Sequence, residues 1–224
     1  VVTMIIENIS ISTGFPYGVF THFSPGPKFL EVPLIVGLGY FNFVVIAWVL
    51  ADLLIGSKIN KSRWACKLGR PLVGAIIASA LDVIMEPVYV LIQHQWVYPN
   101  GGGFFGMPLS NSFGWLFTVF IMLFILELLL NRKSDVQAAF SPSITQWNLQ
   151  VPILIGLHVI PILISLFTSS NTPLTDVLGK TWFSTDMYES IAVFAIHTTV
   201  FFMVVGVFSY FRHKREISTI QQEI

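Results

Sequence analysis

Residues 71–92 read PLVGAIIASALDVIMEPVYVLI, a stretch without Lys or Arg that carries Asp82 near its middle and Glu86 one turn further on. About 20 predominantly apolar residues suffice for a helix to cross the ~30 Å hydrocarbon layer of a bilayer, so this stretch predicts a membrane-spanning helix that bears acids. On insertion scales an Asp at that depth costs roughly 2.5–3.5 kcal/mol, and both carboxyls must therefore face the bundle or a cavity. The spacing agrees. Ala75, Ala78, Ser79, Asp82, Glu86, Tyr89 and Gln93 recur at i, i+3/i+4 and form one small-to-polar stripe, while the opposite face is aliphatic. Pro87 has no N–H for the Val83 carbonyl, which predicts a local break beside both acids. A kink next to two acids predicts a pocket.

Phe29–Ile55, Ser112–Leu130, Val151–Phe167 and Tyr188–Phe211 are also long enough, or nearly so, to span, with Val151–Phe167 the shortest. Val1–Ile11 is too short and reads as the end of a helix that begins upstream. The expected fold is an all-α polytopic transmembrane bundle of five complete spans plus a partial N-terminal helix, one integral-membrane domain over residues 1–224. Composition points the same way. The hydrophobic set makes up 54% of the 224 residues and charged residues only 11%, against about 25% charged in soluble domains. Disorder is excluded, and the solvent is expected to be mostly lipid.

Twelve basic residues balance twelve acidic ones, which argues against a nucleic-acid partner. Cys66 is the one cysteine, so no internal disulfide framework or multi-cysteine metal site can form. Ten of the basic residues fall in Gly56–Arg70, in Asn131–Gln150 and in the tail after Phe211. The positive-inside rule places loops 56–70 and 131–150 and the C-terminus in the cytoplasm, in a protein expected in the cell membrane, with Ser12–Lys28, Gln93–Asn111 and Thr168–Met187 on the other side. No internal repeat, low-complexity tract or secretory signal peptide is visible.

Two carboxylates four residues apart repel in a low dielectric when both are ionised, so the Asp82–Glu86 pair is expected to hold a proton near neutral pH. No Lys or Arg inside a span is placed to pair with them; the bland reading leaves them hydrogen-bonded to neighbouring helices. Asp52 and Glu127, near basic loops, read as interfacial partners. Glu7, Glu31, Asp186 and Glu189 lie at the exoplasmic ends of their segments. Glu31 and Asn42 are almost three turns apart and are expected on one helix face. These residues suggest a polar site in the outer half of the bundle. Asn111 and Trp115, at i and i+4, either reach that site or, for Asn111, form an N-cap. Trp96 and Tyr98 belong either to the site or to an aromatic belt at the headgroups. His158 and His197, at similar depth, suit a bis-His haem pair or simple inter-helix hydrogen bonding. His22, His94 and His213 show no metal-ligand spacing. No G-x-S-x-G, phosphate-binding glycine loop or Asp-rich diphosphate motif is present.

Glu7 followed by Thr13-Gly14-Phe15-Pro16-Tyr17-Gly18, Gly26-Pro27-Lys28 with Val32-Pro33-Leu34, Asp82-x3-Glu86-Pro87, Trp96-x-Tyr98, and the long block from Phe105-Gly106-Met107-Pro108 through Asn111 to Trp115 together resemble the membrane carotenoid biosynthesis protein family. That family includes carotenoid hydratases of the bisanhydrobacterioruberin hydratase type. The likeness covers about the first half of the chain; the family often has Asp-Pro where this chain has Glu86-Pro87. The resemblance implies a hydro-lyase that adds water across a terminal trisubstituted double bond of a carotenoid-like isoprenoid polyene, held within the bilayer among membrane lipids, through a tertiary carbocation and with no cofactor or metal. Asp82 or Glu86 would donate the proton while the other stabilises the cation or activates water, and Glu7 would be a water-side base. Trp96, Tyr98, Phe105 and Trp115 would wall the cation, with Asn42, Glu31 and Asn111 lining the site. The same protonation would equally start a terpene or polyprenyl cyclase, and a proton-coupled transporter of a lipophilic substrate would also place acids mid-membrane.

Overall fold

The computed structural model describes residues 1–55, 65–130, 150–208 and 210–211. Most of the basic residues behind the expected orientation, from Lys58 to Arg63, Arg132 with Lys133, and Arg212 onward, lie outside the described residues.

Helix α1 spans Val2–Thr13 and ends at Gly14, whose left-handed conformation (φ 81°) lets its N–H bond the Ser10 carbonyl at 2.7 Å. A loop leads to strand β1 (Thr21–His22) and to the hairpin β2 (Lys28–Phe29) and β3 (Val32–Pro33). Helix α2 (Leu34–Ile55) is followed, beyond residues 56–64, by a π turn at Ala65–Gly69 and then by α3 (Arg70–Pro87). A second π turn, Val88–Ile92, continues α3 to strand β4 (Trp96–Val97), and α4 covers Leu109–Leu130. Helix α5 (Gln150–Thr168), the hairpin β5 (Pro173–Thr175) and β6 (Thr181–Phe183), and α6 (Ser184–Ala195) with its own π turn at Ile196–Val200 complete the order.

Among the described residues, four helical stretches are long and apolar enough to cross a membrane: Leu34–Ile55, Lys67–Ile92, Leu109–Leu129 and Ser184–Phe208. The protein is a helical integral membrane protein. The expectation of five complete spans is not met among the described residues, because the apolar part of α5, Ile153–Thr168, is shorter. At 1.5 Å per residue it rises roughly 24 Å, less than the hydrocarbon thickness. Three two-stranded ribbons among the described residues also qualify the all-α expectation.

Helix α3 is the centre of the bundle. Two thirds of its span is buried (67%), against about a third for α2 and α4. Gly74 makes the approach possible, since a Cβ there would stand 2.4 Å from Leu123 of α4 and 3.5 Å from the Ala47 carbonyl of α2. At the N-terminal end of α3, Arg70 ties three helices together: its guanidinium lies 3.2 Å from Asp52 at the end of α2 and 3.1 Å from Glu127 near the end of α4.

Pro87 does not stop the helix. It keeps helical angles (φ −59°, ψ −34°), and the chain widens after it into the π turn, where the Gln93 N–H reaches back to Val88. That widening rotates the register, so Gln93 leaves the polar stripe and is exposed, whereas Ala75, Ala78, Ser79, Asp82 and Glu86 stay buried. The first span starts later than Phe29 because Val32 precedes Pro33 and is held extended, closing the β2–β3 hairpin in place of a first helical turn.

Candidate active site

At the end of the bundle opposite Arg70, some 18 Å along α3 by the rise per residue, a cavity of about 370 Å³ opens among α1, α2, α3, α4 and the loops that carry β1 and β4. Each helix contributes one face. Helix α3 presents Asp82, Met85, Glu86 and Tyr89; α2 presents Ile35, Val36, Gly39, Tyr40 and Phe43; α4 presents Asn111 and Trp115; α1 presents Glu7. The walls are mainly aromatic: Tyr40 stacks on Trp115 (4.2 Å, 12°), and Phe43 meets the same indole edge-on at 5.6 Å.

Both α3 acids are buried, Asp82 to 5% and Glu86 to 2% exposure, one helical turn apart on the same face of α3. Among the described residues neither forms an ion pair. Their partners are neutral donors. Glu86 Oε1 accepts from Trp96 Nε1 at 2.7 Å and from the Tyr98 hydroxyl at 2.6 Å, and Asp82 Oδ2 accepts from Asn111 Nδ2 at 2.9 Å. Burial, with Glu86 beside it, pushes the Tyr98 phenol well above its usual range, so it stays a donor. Burial and then Glu7 push Tyr17 up in the same way. A third acid, Glu7, is paired with His22, Oε2 to Nε2 at 3.0 Å, both buried.

The loops are built to hold these groups. Ser10 Oγ donates to the Gly18 carbonyl and accepts from the Tyr17 N–H, and Ser110 Oγ donates to the Tyr17 carbonyl. Tyr17 can lie flat against α4 because residue 114 is glycine; a Cβ there would stand 2.3 Å from its ring. Strands β1 and β4 pair antiparallel with His22 opposite Trp96, so one short ladder links the Glu7 side of the cavity to the Glu86 side.

Of the residues singled out in the sequence, the fold gathers Glu7, Asp82, Glu86, Trp96, Tyr98, Asn111 and Trp115 around this cavity. Trp96 and Tyr98 aim their donors at Glu86 rather than serving only as a headgroup belt. Asn111 is not an N-cap: α4 already begins at Leu109, which frees its side chain to reach Asp82. Three residues fall elsewhere. Glu31 is exposed in the β2–β3 turn, where its N–H bonds Asn8 Oδ1, and it shares no helix face with Asn42 because the helix starts only after Pro33. Asn42 bonds His158 Nε2 at 3.2 Å on α5. Phe105 is buried outside the cavity, packed on Phe104 and Trp182. His158 also uses Nδ1 on the Leu154 carbonyl, while His197 is exposed beside Asp186 and Glu189 in a separate shallow depression. His22, Tyr17, Phe20, Tyr40 and Phe43 line the cavity as well, and none of them is a site candidate by sequence. Tyr40 and Phe43 carried a signal, since they continue the α2 face of Val36 at helical spacing; His22 carried none.

Residues 1–182 match the family described as "Carotenoid biosynthesis protein". Over 123 residues the chain is 33% identical to a protein of Haloarcula japonica named bisanhydrobacterioruberin hydratase, a stretch that covers 53% of this chain and 40% of that relative. The chain therefore spans less than half the length of this relative. No solved structure matches.

Proposed function

Because the chain belongs to the carotenoid biosynthesis protein family, we propose that it hydrates the terminal isoprenoid double bond of an acyclic carotenoid by acid catalysis. The observation that carries this reading is the pair of buried carboxyls, Asp82 and Glu86, set without a cationic partner among the described residues in the wall of an aromatic cavity. Two donors on one Glu86 oxygen favour the anion there, and the shared proton then resides on Asp82. Asp82 delivers it to the less substituted carbon of the alkene. The resulting tertiary cation is stabilised by the Glu86 carboxylate and by the π faces of Trp115 and Tyr40. Water adds its oxygen to the cation and loses a proton, leaving a tertiary alcohol.

Ligand pockets for drug-sized molecules run roughly 300–1,000 Å³, so a cavity of about 370 Å³ takes the end of a long polyene rather than its whole length. Ile35 on α2 is exposed, with Gly39, Met85 and Tyr89 half-buried beside it. The remainder of the substrate would leave between α2 and α3 into the lipid, with the cavity in the exoplasmic half of the cell membrane.

Asp82→Asn and Glu86→Gln keep shape and remove the dissociable proton. Assayed on bisanhydrobacterioruberin or another acyclic carotenoid with terminal trisubstituted double bonds, Asp82→Asn is expected to lose turnover by at least about 10²-fold, the scale of a general acid, with folding retained. Normal turnover in both variants would contradict the acid assignment.

A further inference from the structure

His22 stands in the cavity wall with one ring nitrogen occupied and the other not. Its Nε2 faces Glu7 Oε2 at 3.0 Å. With the carboxylate accepting, Nε2 carries the proton and the lone pair of the neutral ring lies on Nδ1. Nδ1 is buried and has no hydrogen-bond partner among the described residues. Leaving such an atom unsatisfied is unfavourable, which favours a donor bound there. The ring is also held in place. It meets Phe20 edge-on at 5.1 Å and Trp96 at 5.7 Å, its backbone pairs with Trp96 across the β1–β4 ladder, and Lys28 Nζ donates to its carbonyl at 3.3 Å. A fixed imidazole with its tautomer set by a carboxylate and its lone pair unused is the arrangement of a general base.

We propose that His22 is the base that takes the proton from the capturing water, and that Glu7 is its positioning residue. This assignment rests on the hydration reading above. As the water oxygen forms its bond to the tertiary carbon, one water O–H bond breaks and that proton passes to Nδ1; the imidazolium is stabilised by Glu7. The cycle closes when His22 returns this proton, through the water that refills the cavity, to the carboxyl pair that gave one to the alkene. The rival base is the carboxylate left on Asp82 or Glu86 after protonation.

The two alternatives differ in how the cation partitions. Purified protein is given an acyclic carotenoid with terminal trisubstituted double bonds in D₂O enriched in ¹⁸O. Two species are counted: the tertiary alcohol carrying heavy oxygen, and recovered alkene carrying deuterium at the less substituted vinylic carbon, formed when the cation loses a proton before water captures it. In His22→Gln the ratio of alcohol to exchanged alkene should fall at least about 10²-fold, the scale of a lost general base, while exchange persists. Glu7→Gln should shift the ratio in the same direction, because a carboxamide no longer holds the proton on Nε2, and it carries the test alone if His22→Gln does not fold. An unchanged ratio overturns the role of His22 and leaves the acid chemistry standing. A wild-type protein that yields neither labelled species overturns the hydration reading, and His22 with it.

Discussion

The Tyr98 hydroxyl donates to Glu86 across 2.6 Å with both groups buried, and the phenol is held protonated well beyond its ordinary range by burial and by that acid. The folded protein keeps the Tyr98 proton at pH values where the unfolded chain, titrating near about 10, has lost it. The stability that wild type holds over Tyr98→Phe should therefore be constant from neutral pH to about 10 and shrink above it. Unfolding of both proteins in one detergent across that range would check this, and a difference that grows above pH 10 would contradict it. At this scale the sequence was most readable where a residue type was out of place. Asp82 and Glu86 stand out because carboxylates are costly inside a span, whereas Trp96, Tyr98 and Asn111 each leave a second reading open in the sequence, a headgroup belt or an N-cap. His22 was not readable, because its partner Glu7 is fifteen residues away and its ring neighbour Trp96 is brought in by a strand pairing of two residues. No periodicity encodes either contact.

Among the elements, α2 shows how a helix face can be legible while its start is not. Its apolar run extends back to Phe29, yet Pro33 forces the hairpin and moves the first turn to Leu34. Glu31 was displaced from its expected face for that reason. On α3, by contrast, the i, i+3/i+4 stripe holds as far as Pro87 and fails only past the π turn, where Gln93 swings out. The α2 face also offers a clean perturbation. Gly39 lines the cavity, and nothing lies within 4 Å of where its Cβ would stand. Replacing a helical glycine removes a conformational cost of roughly 0.5–1 kcal/mol, so Gly39→Leu should fold at least as well as wild type while filling the passage between α2 and α3. Turnover of a long acyclic carotenoid is expected to fall about tenfold or more in Gly39→Leu, the scale of a lost productive fit, and much less in Gly39→Ala. Full activity in Gly39→Leu would mean that substrate reaches the acids by another path.

The molecule as a whole divides its polar groups between two ends of one central helix. At one end Arg70 joins Asp52 and Glu127 and fixes α2, α3 and α4 together; at the other, Asp82 and Glu86 are left without cationic partners among the described residues and face an aromatic cavity. Composition and span lengths made the helical membrane architecture legible, since 54% hydrophobic content with 11% charge leaves few other solutions. The short ribbons, among them the β1–β4 pair in the cavity wall, were not legible, because strands of two or three residues carry no alternating pattern long enough to read. The central claim is that a proton from the α3 acid pair and the oxygen of water add across one terminal double bond. Its most direct test is a single turnover experiment with wild-type protein and an acyclic carotenoid in D₂O enriched in ¹⁸O. The expected product is a tertiary alcohol with one heavy oxygen on the tertiary carbon and one deuteron on the carbon beside it. A cyclic, oxygen-free product, or an alcohol lacking the deuteron, would overturn acid-catalysed hydration.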